Sequence, residues 1–448
     1  DRLVRARAML QLGRAGDACR EAEDVARTAI SDQVRINSLM LAGDAYRTLG
    51  HREDARSSWR SALQGAESAH LPRQHADALC KLGMSDYLSG RFTEAEAQIA
   101  EAYRVSAEAG DKRNQAWALQ HLAWVSTSRG DFAAADGALG RAAKLFAELD
   151  DDTGRTWVRG TTAFGRMLAG RLTEANGLAR AFLPFGERVG DTWAVGTLRS
   201  VAAFASAELG NLTEAARYAD RAYQDFEVMG EDWGRGLALI ARAMVARGTD
   251  DVDRAIDLLT EAERFGEKIS HPLLVGMSRT IRGFCQLDRC DPRAAERDAR
   301  ATLELVEPFD VVDVARVGPT VLLAESYRAQ GDVPSALRLL DEVDATSQQP
   351  GLLLSRRQAG AAHAMTLLCA GRAEDAVARA RLAVRARAED VRSTVLAYVV
   401  LARTLQATGA CEEARRVAEQ AVDAAYATEQ TADRARADAL LADLTGTG

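Results

Sequence analysis

The sequence predicts an all-α solenoid of about eleven tandem helix pairs (residues 1–430), closed by a C-terminal capping helix and tail (residues 431–448). Three observations predict it. One turn motif returns about every 40 residues along the whole chain. Alanine, leucine and arginine dominate, while prolines number 8 and aromatic residues make up 6%, which suits helices packed through small side chains. Finally, 448 residues exceed what one globular core sustains, a limit a repeat array escapes because each unit packs only on its neighbours.

The motif is a small residue, a variable polar residue, and a helix whose early alanine falls five positions after the turn. Its clearest copies are Gly90-Arg91-Phe92-Thr93-Glu94-Ala95, Gly170-Arg171-Leu172-Thr173-Glu174-Ala175, Gly210-Asn211-Leu212-Thr213-Glu214-Ala215 and Gly371-Arg372-Ala373-Glu374-Asp375-Ala376. The marker alanines are Ala18, Ala55, Ala95, Ala135, Ala175, Ala215, Ala255, Ala295, Ala336, Ala376 and Ala414. Successive intervals are therefore 37, six of 40, then 41, 40 and 38 residues. Chance does not hold one register through eleven copies.

Each part of the turn has a physical reason. Glycine takes the left-handed conformation that ends the first helix of a pair, and Thr93, Thr173 or Thr213 is placed to cap the orphan amides of the second. The glutamate that follows suits the positive end of a helix. Seven residues before the turn stands another small residue, namely Ala6, Gly43, Gly83, Ala123, Ala163, Ala203, Ala243, Gly283, Ala324, Ala364 and Ala402. The missing side chain lets paired helices approach closely.

The ends and one interior segment depart from the pattern. The first repeat keeps about a dozen residues of its first helix, Asp1 to Gln11, where later copies give it roughly 17, so the native chain is expected to continue before Asp1 and to end near Gly448. Thr431 to Leu444 reads as one more amphipathic helix, with Leu440, Leu441 and Leu444 hiding the last apolar face. Between Glu307 and Pro319, the residues Pro308, Phe309-Asp310-Val311-Val312 and Pro319 predict a kink or a shortened helix, either a tolerated irregularity or a hinge or docking loop.

This pattern resembles the tetratricopeptide repeat (TPR) family, whose motif has a small residue at position 8, a turn glycine near 15 and an alanine at 20 of about 34 residues. Tyr46 and Tyr327 stand where that motif has its tyrosine. The resemblance covers essentially the whole chain. The extra length of each copy implies longer helices. The motif's early Trp or Leu is Leu39, Leu79, Leu119 and Leu239 in some copies but Arg159, Arg199 and Arg279 in others, and the trailing proline is usually absent. The resemblance implies a right-handed superhelix whose first helices line a concave face and look inward at positions 2, 5, 9, 12 and 13. Repeats of this length are also similar to the sensor solenoids of bacterial ATPase-linked regulators, which implies a sensing arm.

Applied to this chain, position 9 gives Met84, Trp124, Phe164, Phe204, Met244, Phe284 and Met365, interrupted by Glu325. Position 2 adds Trp117, Trp157 and Met277, with Trp193 and Trp233 four residues earlier on the same stripe. Such a row either lines a groove for a peptide, helix or hydrophobic ligand, or is the buried stripe of long core helices, because both use the same spacing. Arg159, Arg199 and Arg279 share one register position, with Arg242 and Arg282 near them. They form either a ladder toward an acidic ligand or pairs with first-turn glutamates such as Glu174 and Glu214. The candidate ligand site is the concave face around Gly130 to Cys290, made of Trp117, Trp124, Trp157, Phe164, Phe204, Met244, Phe284, Arg159, Arg199 and Arg279.

No signature of catalysis accompanies this face. The chain has no G-x-x-x-x-G-K-[ST], H-E-x-x-H or G-x-S-x-G, and His51, His70, His75, His121, His271 and His363 are scattered over different repeats. No catalytic residue, cofactor or metal is expected. The net charge of −8 argues against nucleic acid. The basic stretch Arg372, Arg379, Arg381, Arg385 and Arg387, flanked by Arg356, Arg357 and Arg392, reads as a solvated helix face. Cys19, Cys80, Cys285, Cys290, Cys369 and Cys411 form no C-x-x-C pair and read as buried free thiols in a reducing compartment. With no apolar run of membrane-spanning length and no signal peptide, the expected location is the cytoplasm.

The expected function is therefore non-catalytic binding of a protein or peptide, with a small ligand as a further possibility, by the sensor or interaction region of a larger bacterial signalling or transcriptional regulator. The partner could be an upstream effector domain of the same chain. Two alternatives stay open: a freestanding scaffold or adaptor, and an intracellular receptor for a small peptide or metabolite.

Overall fold

The computed structural model describes residues 2–308, 314–347 and 353–446. It is 85% helical, with 23 helices and no strand among the described residues. The chain forms two compact units: unit 1 comprises residues 1–161 with 227–231, and unit 2 comprises residues 162–226 with 232–448.

Consecutive helices pack as pairs. The first pairs are α1 (Arg2–Gln11) with α2 (Ala15–Thr28), α3 (Asp32–Thr48) with α4 (Arg52–Ser68), and α5 (Pro72–Leu88) with α6 (Phe92–Glu108). Next come α7 (Lys112–Ser128) with α8 (Phe132–Glu148), α9 (Asp152–Leu168) with α10 (Leu172–Val189), and α11 (Thr192–Glu208) with α12 (Leu212–Met229). Then follow α13 (Asp232–Gly248) with α14 (Val252–Lys268), α15 (Pro272–Asp288) with α16 (Pro292–Val306), and α17 (Val314–Ala329) with α18 (Val333–Ser347). The last are α19 (Leu353–Cys369) with α20 (Ala373–Arg385), α21 (Val391–Ala407) with α22 (Cys411–Tyr426), and the unpaired α23 (Thr431–Thr445). On α23, Leu440 is buried, and Leu441 and Leu444 pack against the same core cluster, as a cap requires.

The 40-residue period has a simple origin. From Gly50 to Cys290 a residue in the left-handed region ends a helix every 20 residues, so the turn between pairs is as regular as the turn within them. Most helices between these turns have 17 residues, about 26 Å at 1.5 Å per residue. Glycine holds most of these positions because it has no Cβ to clash at positive φ. His70, Asp150, Asp250, Ser270 and Cys290 take it instead, at φ between 48° and 67°. Sequence reading detected only the turn within each pair.

Small residues set the close packing. Every marker alanine is buried, none more than 3% exposed. At Gly43 an added Cβ would lie 2.3 Å from Trp59 Nε1, whose N–H donates to the Met40 carbonyl at 3.3 Å. In unit 1 the fully buried Phe146 carries Trp117 at 5.1 Å, and Trp117 meets Trp157 edge-on at 5.9 Å. In unit 2 the fully buried Phe226 lies edge-on to both Trp193 and Trp233, which stack at 5.4 Å. An added Cβ at Gly234 would fall 2.2 Å from the Phe226 ring.

Three expectations need correcting. First, the helices begin one residue before the threonines, at Phe92, Leu172 and Leu212, so Thr93, Thr173 and Thr213 stand inside the first turn; the N-cap residues Arg91 and Arg171 make no side-chain cap bond. Caps come instead from Asp111, Asp131, Asp191, Asp251, Asp291 and Asp390, and from His271. Second, Cys290, Cys369 and Cys411 are exposed, since they sit at or beside turns; only Cys19, Cys80 and Cys285 are buried. Third, the basic stretch is a solvated face only in part: Arg372, Arg381, Arg385 and Arg387 are exposed, whereas Arg379 and the flanking Arg357 and Arg392 are not. Arg379 pairs with Asp344, Arg381 with Glu413, and Arg392 with Asp288. Of the irregular segment, Phe309, Asp310, Val311 and Val312 lie outside the described residues, while Pro319 sits inside the 16-residue α17.

Unit 2 closes on itself through contacts between repeats far apart in sequence. The Thr173 amide, near the start of α10, donates to Glu389 Oε2 at 2.6 Å, and the Thr213 amide of α12 donates to Glu429 Oε2 at the same distance. Both bonds span 216 residues. Around them, Glu429 N–H donates to Gly210 O (3.0 Å), Gln430 Nε2 to Ala207 O (3.3 Å) and Thr431 Oγ1 to Gly248 O (3.4 Å).

Candidate ligand-binding site

Positions 2, 5, 9, 12 and 13 of a 17-residue first helix fall within about 100° of one another around its axis and so form a single stripe. In unit 2 the closed repeats turn the stripes of α11, α13, α15, α17, α19 and α21 toward one cavity of about 340 Å³. Its apolar wall includes Phe204, Met244, Ile281, Phe284, Leu287 and Leu396. Its charged groups are Glu208, Arg247, Asp288, Glu325, Arg328, Asp390, Arg392 and, from α23, Arg436. A second space of about 200 Å³ adjoins it, sharing Glu325, Arg328, Leu396 and Arg436 and adding Met365 and Arg403. The larger cavity, at about 340 Å³, lies near the lower end of the roughly 300–1,000 Å³ usual for small-molecule sites.

Asp288 is the electrostatic centre. Arg247 Nε donates to it at 2.7 Å, an Arg392 terminal nitrogen at 2.9 Å and an Arg436 nitrogen at 3.4 Å. Arg247 and Arg392, which donate at the shorter distances, hold the Asp288 carboxyl below the ordinary carboxylate range although burial opposes them. Arg436 also binds Asp433 at 3.0 Å. Arg247 lies over the Phe284 ring at 5.7 Å, which ties the charged cluster to the apolar wall.

Other acids lack such partners. The Glu208 and Glu325 carboxyls accept no hydrogen bond and form no ion pair among the described residues. Burial, reinforced by Asp390, pushes the Glu208 pKa up to about 8 against the pull of Arg247 and Arg392. Burial also raises Glu325. Asp390, 5% exposed, caps α21 by accepting the Ser393 amide at 2.9 Å on Oδ2, while its Oδ1 has no hydrogen-bond partner. Burial raises its pKa too. The Nε of Arg328 is likewise buried without a partner.

The sequence-derived candidates divide. Phe204, Met244 and Phe284 line the cavity, Phe284 being only 8% exposed. In unit 1, Trp117 and Trp157 are partly exposed and packed on one another, and Trp124 is 4% exposed beside Tyr87 at 6.4 Å. Phe164, 8% exposed, lies 6.4 Å from Trp233 in unit 2. Arg199 pairs with Glu187 and Asp225, and Arg279 with Glu263 and Glu267, all on second helices of the pairs. Glu174 and Glu214 are engaged by other arginines, Arg166 and Arg171 for the first and Arg180 and Arg217 for the second. Arg159 is exposed on α9.

Sequence reading passed over Glu208, Arg247, Asp288 and Arg328, which occupy positions 12 and 13 of the same inward register. In the sequence Glu325 reads only as a break in the apolar row. Among the described residues no three histidines, cysteines or carboxylates lie together as metal ligands, and no helix is long and apolar enough to cross a membrane.

No protein-family model matches the chain, and no curated protein matches it in sequence. Solved structures do. The APC/C hetero-tetramer Cut9-Hcn1 superposes with a TM-score of 0.59 at 11% identity, covering 99% of this chain and 83% of that one. A Rap protein complexed with Competence and Sporulation Factor gives a TM-score of 0.50 at 12% identity, covering 77% and 98% respectively. Both are solenoids of the tetratricopeptide type, and at these identities the likeness shows the fold.

Proposed function

We propose that the chain is a non-catalytic receptor solenoid that binds a peptide or small ligand inside unit 2, and that it is the sensing region of a larger bacterial signalling or transcriptional regulator. The observation that carries this reading is the cavity lined by six successive first helices and by α23, where unpaired acids and an apolar wall meet. The Rap protein structure, a complex with Competence and Sporulation Factor, supports ligand binding by a solenoid of this fold. Because the cavity exists only while distant repeats of unit 2 touch, a ligand inside it acts by shifting the balance between closed and open windings.

Thermal unfolding of the chain with a library of short peptides and metabolites tests the binding claim. A true ligand stabilises saturably, by about 2.7 kcal/mol at 100 times its dissociation constant. Protection confined to α11, α13, α15, α17, α19 and α21 in hydrogen exchange locates it; stabilisation unaffected by Phe204→Ala and Phe284→Ala sinks the assignment. The regulator context is tested by the coding sequence upstream of Asp1. An ATPase, cyclase or DNA-binding module supports it, and an immediate start codon removes it in favour of a freestanding adaptor or receptor.

A further inference from the structure

The cavity of unit 2 holds a charge pattern that its own residues do not complete. Three of its four arginines, Arg247, Arg392 and Arg436, are committed to Asp288, and the fourth, Arg328, acts on Glu325. Glu208, one helical turn beyond Phe204 on α11, has no such partner, and Asp390, close enough to act on it electrostatically, keeps Oδ1 unsatisfied although the residue is 95% buried by its 5% exposure. Carboxyl oxygens beside an apolar wall cost stability unless a donor reaches them, and a cationic nitrogen with several N–H donors satisfies two carboxyls at once. The lining contains no lysine to play that part.

Resting on the reading of this cavity as the ligand site, we propose that it takes an organic cation, an ammonium or guanidinium group on an apolar body. The cation sits between Glu208 and Asp390, and the body lies against Phe204, Met244 and Phe284. A free amine and a lysine or arginine side chain of a peptide offer the same chemistry. The groups that face Glu208 are Arg247 on α13, Asp390 and Arg392 at the start of α21, and Asp433 on α23, and Arg357 on α19 acts on Asp390. Because the Glu208 carboxyl holds its proton up to about pH 8, a bound cation displaces that proton, and affinity rises with pH up to that point.

Isothermal titration calorimetry of the full chain with phenethylammonium, phenethyl alcohol and phenylacetate, in two buffers of different ionisation enthalpy, tests this. The cation is expected to bind at least about tenfold more tightly than the alcohol and to release about one proton at neutral pH. Glu208→Gln, isosteric with the protonated acid, is expected to keep the fold by circular dichroism while losing both the preference and the proton release. N-acetylated, C-amidated peptides differing only in lysine or norleucine distinguish the sources: lysine-dependent binding without phenethylammonium binding assigns a peptide side chain. Equal binding of alcohol and cation, tighter binding of phenylacetate, or an unchanged affinity in Glu208→Gln overturns the cation while leaving the cavity as a ligand site. Absence of binding by every cationic probe and lysine peptide overturns the cation as well; the broader library then decides whether the cavity itself survives.

Discussion

Removal of Glu429 isolates one of the two carboxylate-to-amide bonds among the contacts that close unit 2. The α12 amide of Thr213 has the Glu429 carboxylate as its acceptor, and loss of an N-terminal cap costs about 0.5–2 kcal/mol, typically about 1. The carboxylate also meets the positive helix end, worth about 0.3–1 kcal/mol and screened by salt. The contact is exposed and water can replace it, so Glu429→Ala should cost about 1 kcal/mol, a factor of roughly five in the local opening equilibrium. The backbone bond from Glu429 N–H to Gly210 O and the bond from Gln430 to Ala207 O survive the change, so the helix start loosens without the whole unit opening.

Amide hydrogen exchange reads this residue by residue. The Thr213 amide should exchange about fivefold faster in Glu429→Ala with Thr173 unaffected, and the pattern should reverse in Glu389→Ala. The double variant should be close to additive, because the two bonds share no partner. High salt should narrow the difference from the native chain. Unchanged exchange at Thr213, or equal acceleration of both amides by either substitution, refutes the idea that these carboxylates act as local caps.

Three further outcomes follow from the packing and charge. Phe226→Ala should destabilise unit 2 by about 3–5 kcal/mol in denaturant titration, since it empties the space beneath Trp193 and Trp233 and the glycines cannot fill it. Asp288→Asn leaves Arg247, Arg392 and Arg436 without their counter-charge and should cost roughly 2 kcal/mol, less than a fully buried pair because these side chains stay between about a sixth and a third exposed; the native contribution, set by a lowered pKa, is present above the ordinary aspartate range and lost as pH falls, so the two proteins converge in acid. Glu208 acts with the opposite sign: its raised pKa means the folded chain holds a proton the unfolded chain releases, so stability falls as pH rises from about 4.5 to about 8, and Glu208→Gln should flatten thermal stability across that window.

The helical pairs were legible because their signal is local and repeated. A glycine, an alanine five residues on and a small residue seven before recur often enough to fix the register, and each of those alanines is buried. Half the site was legible by the same means. Phe204, Met244 and Phe284 came from position 9, and positions 12 and 13 of that register carry Glu208, Arg247, Asp288 and Arg328. They went unread because an apolar stripe draws attention to its apolar members. Arg392, Asp390 and Arg436 were out of reach, since they enter the cavity only through contacts that span 104 to 223 residues and no local pattern encodes those. The threonine caps failed for a smaller reason: the helix starts one residue earlier than the polar residue suggested, and a distant glutamate takes over the orphan amide.

These contacts couple the cavity to its closure. Arg392 and Arg436 reach Asp288 from the same two stretches of chain, around α21 and α23, that supply Glu389 and Glu429 to the helix starts on the other side. A ligand that engages Glu208 and Asp390 therefore bridges α11 and α21, and its binding energy differs between closed and open windings. Linkage makes the effect reciprocal. If opening at Thr213 and Thr173 is the transition that admits the ligand, a saturating ligand slows exchange at those amides, and Glu389→Ala with Glu429→Ala weakens affinity only once the open form is well populated. A variant that opens readily yet binds with native affinity would separate the two, leaving the cavity as a site on a rigid frame.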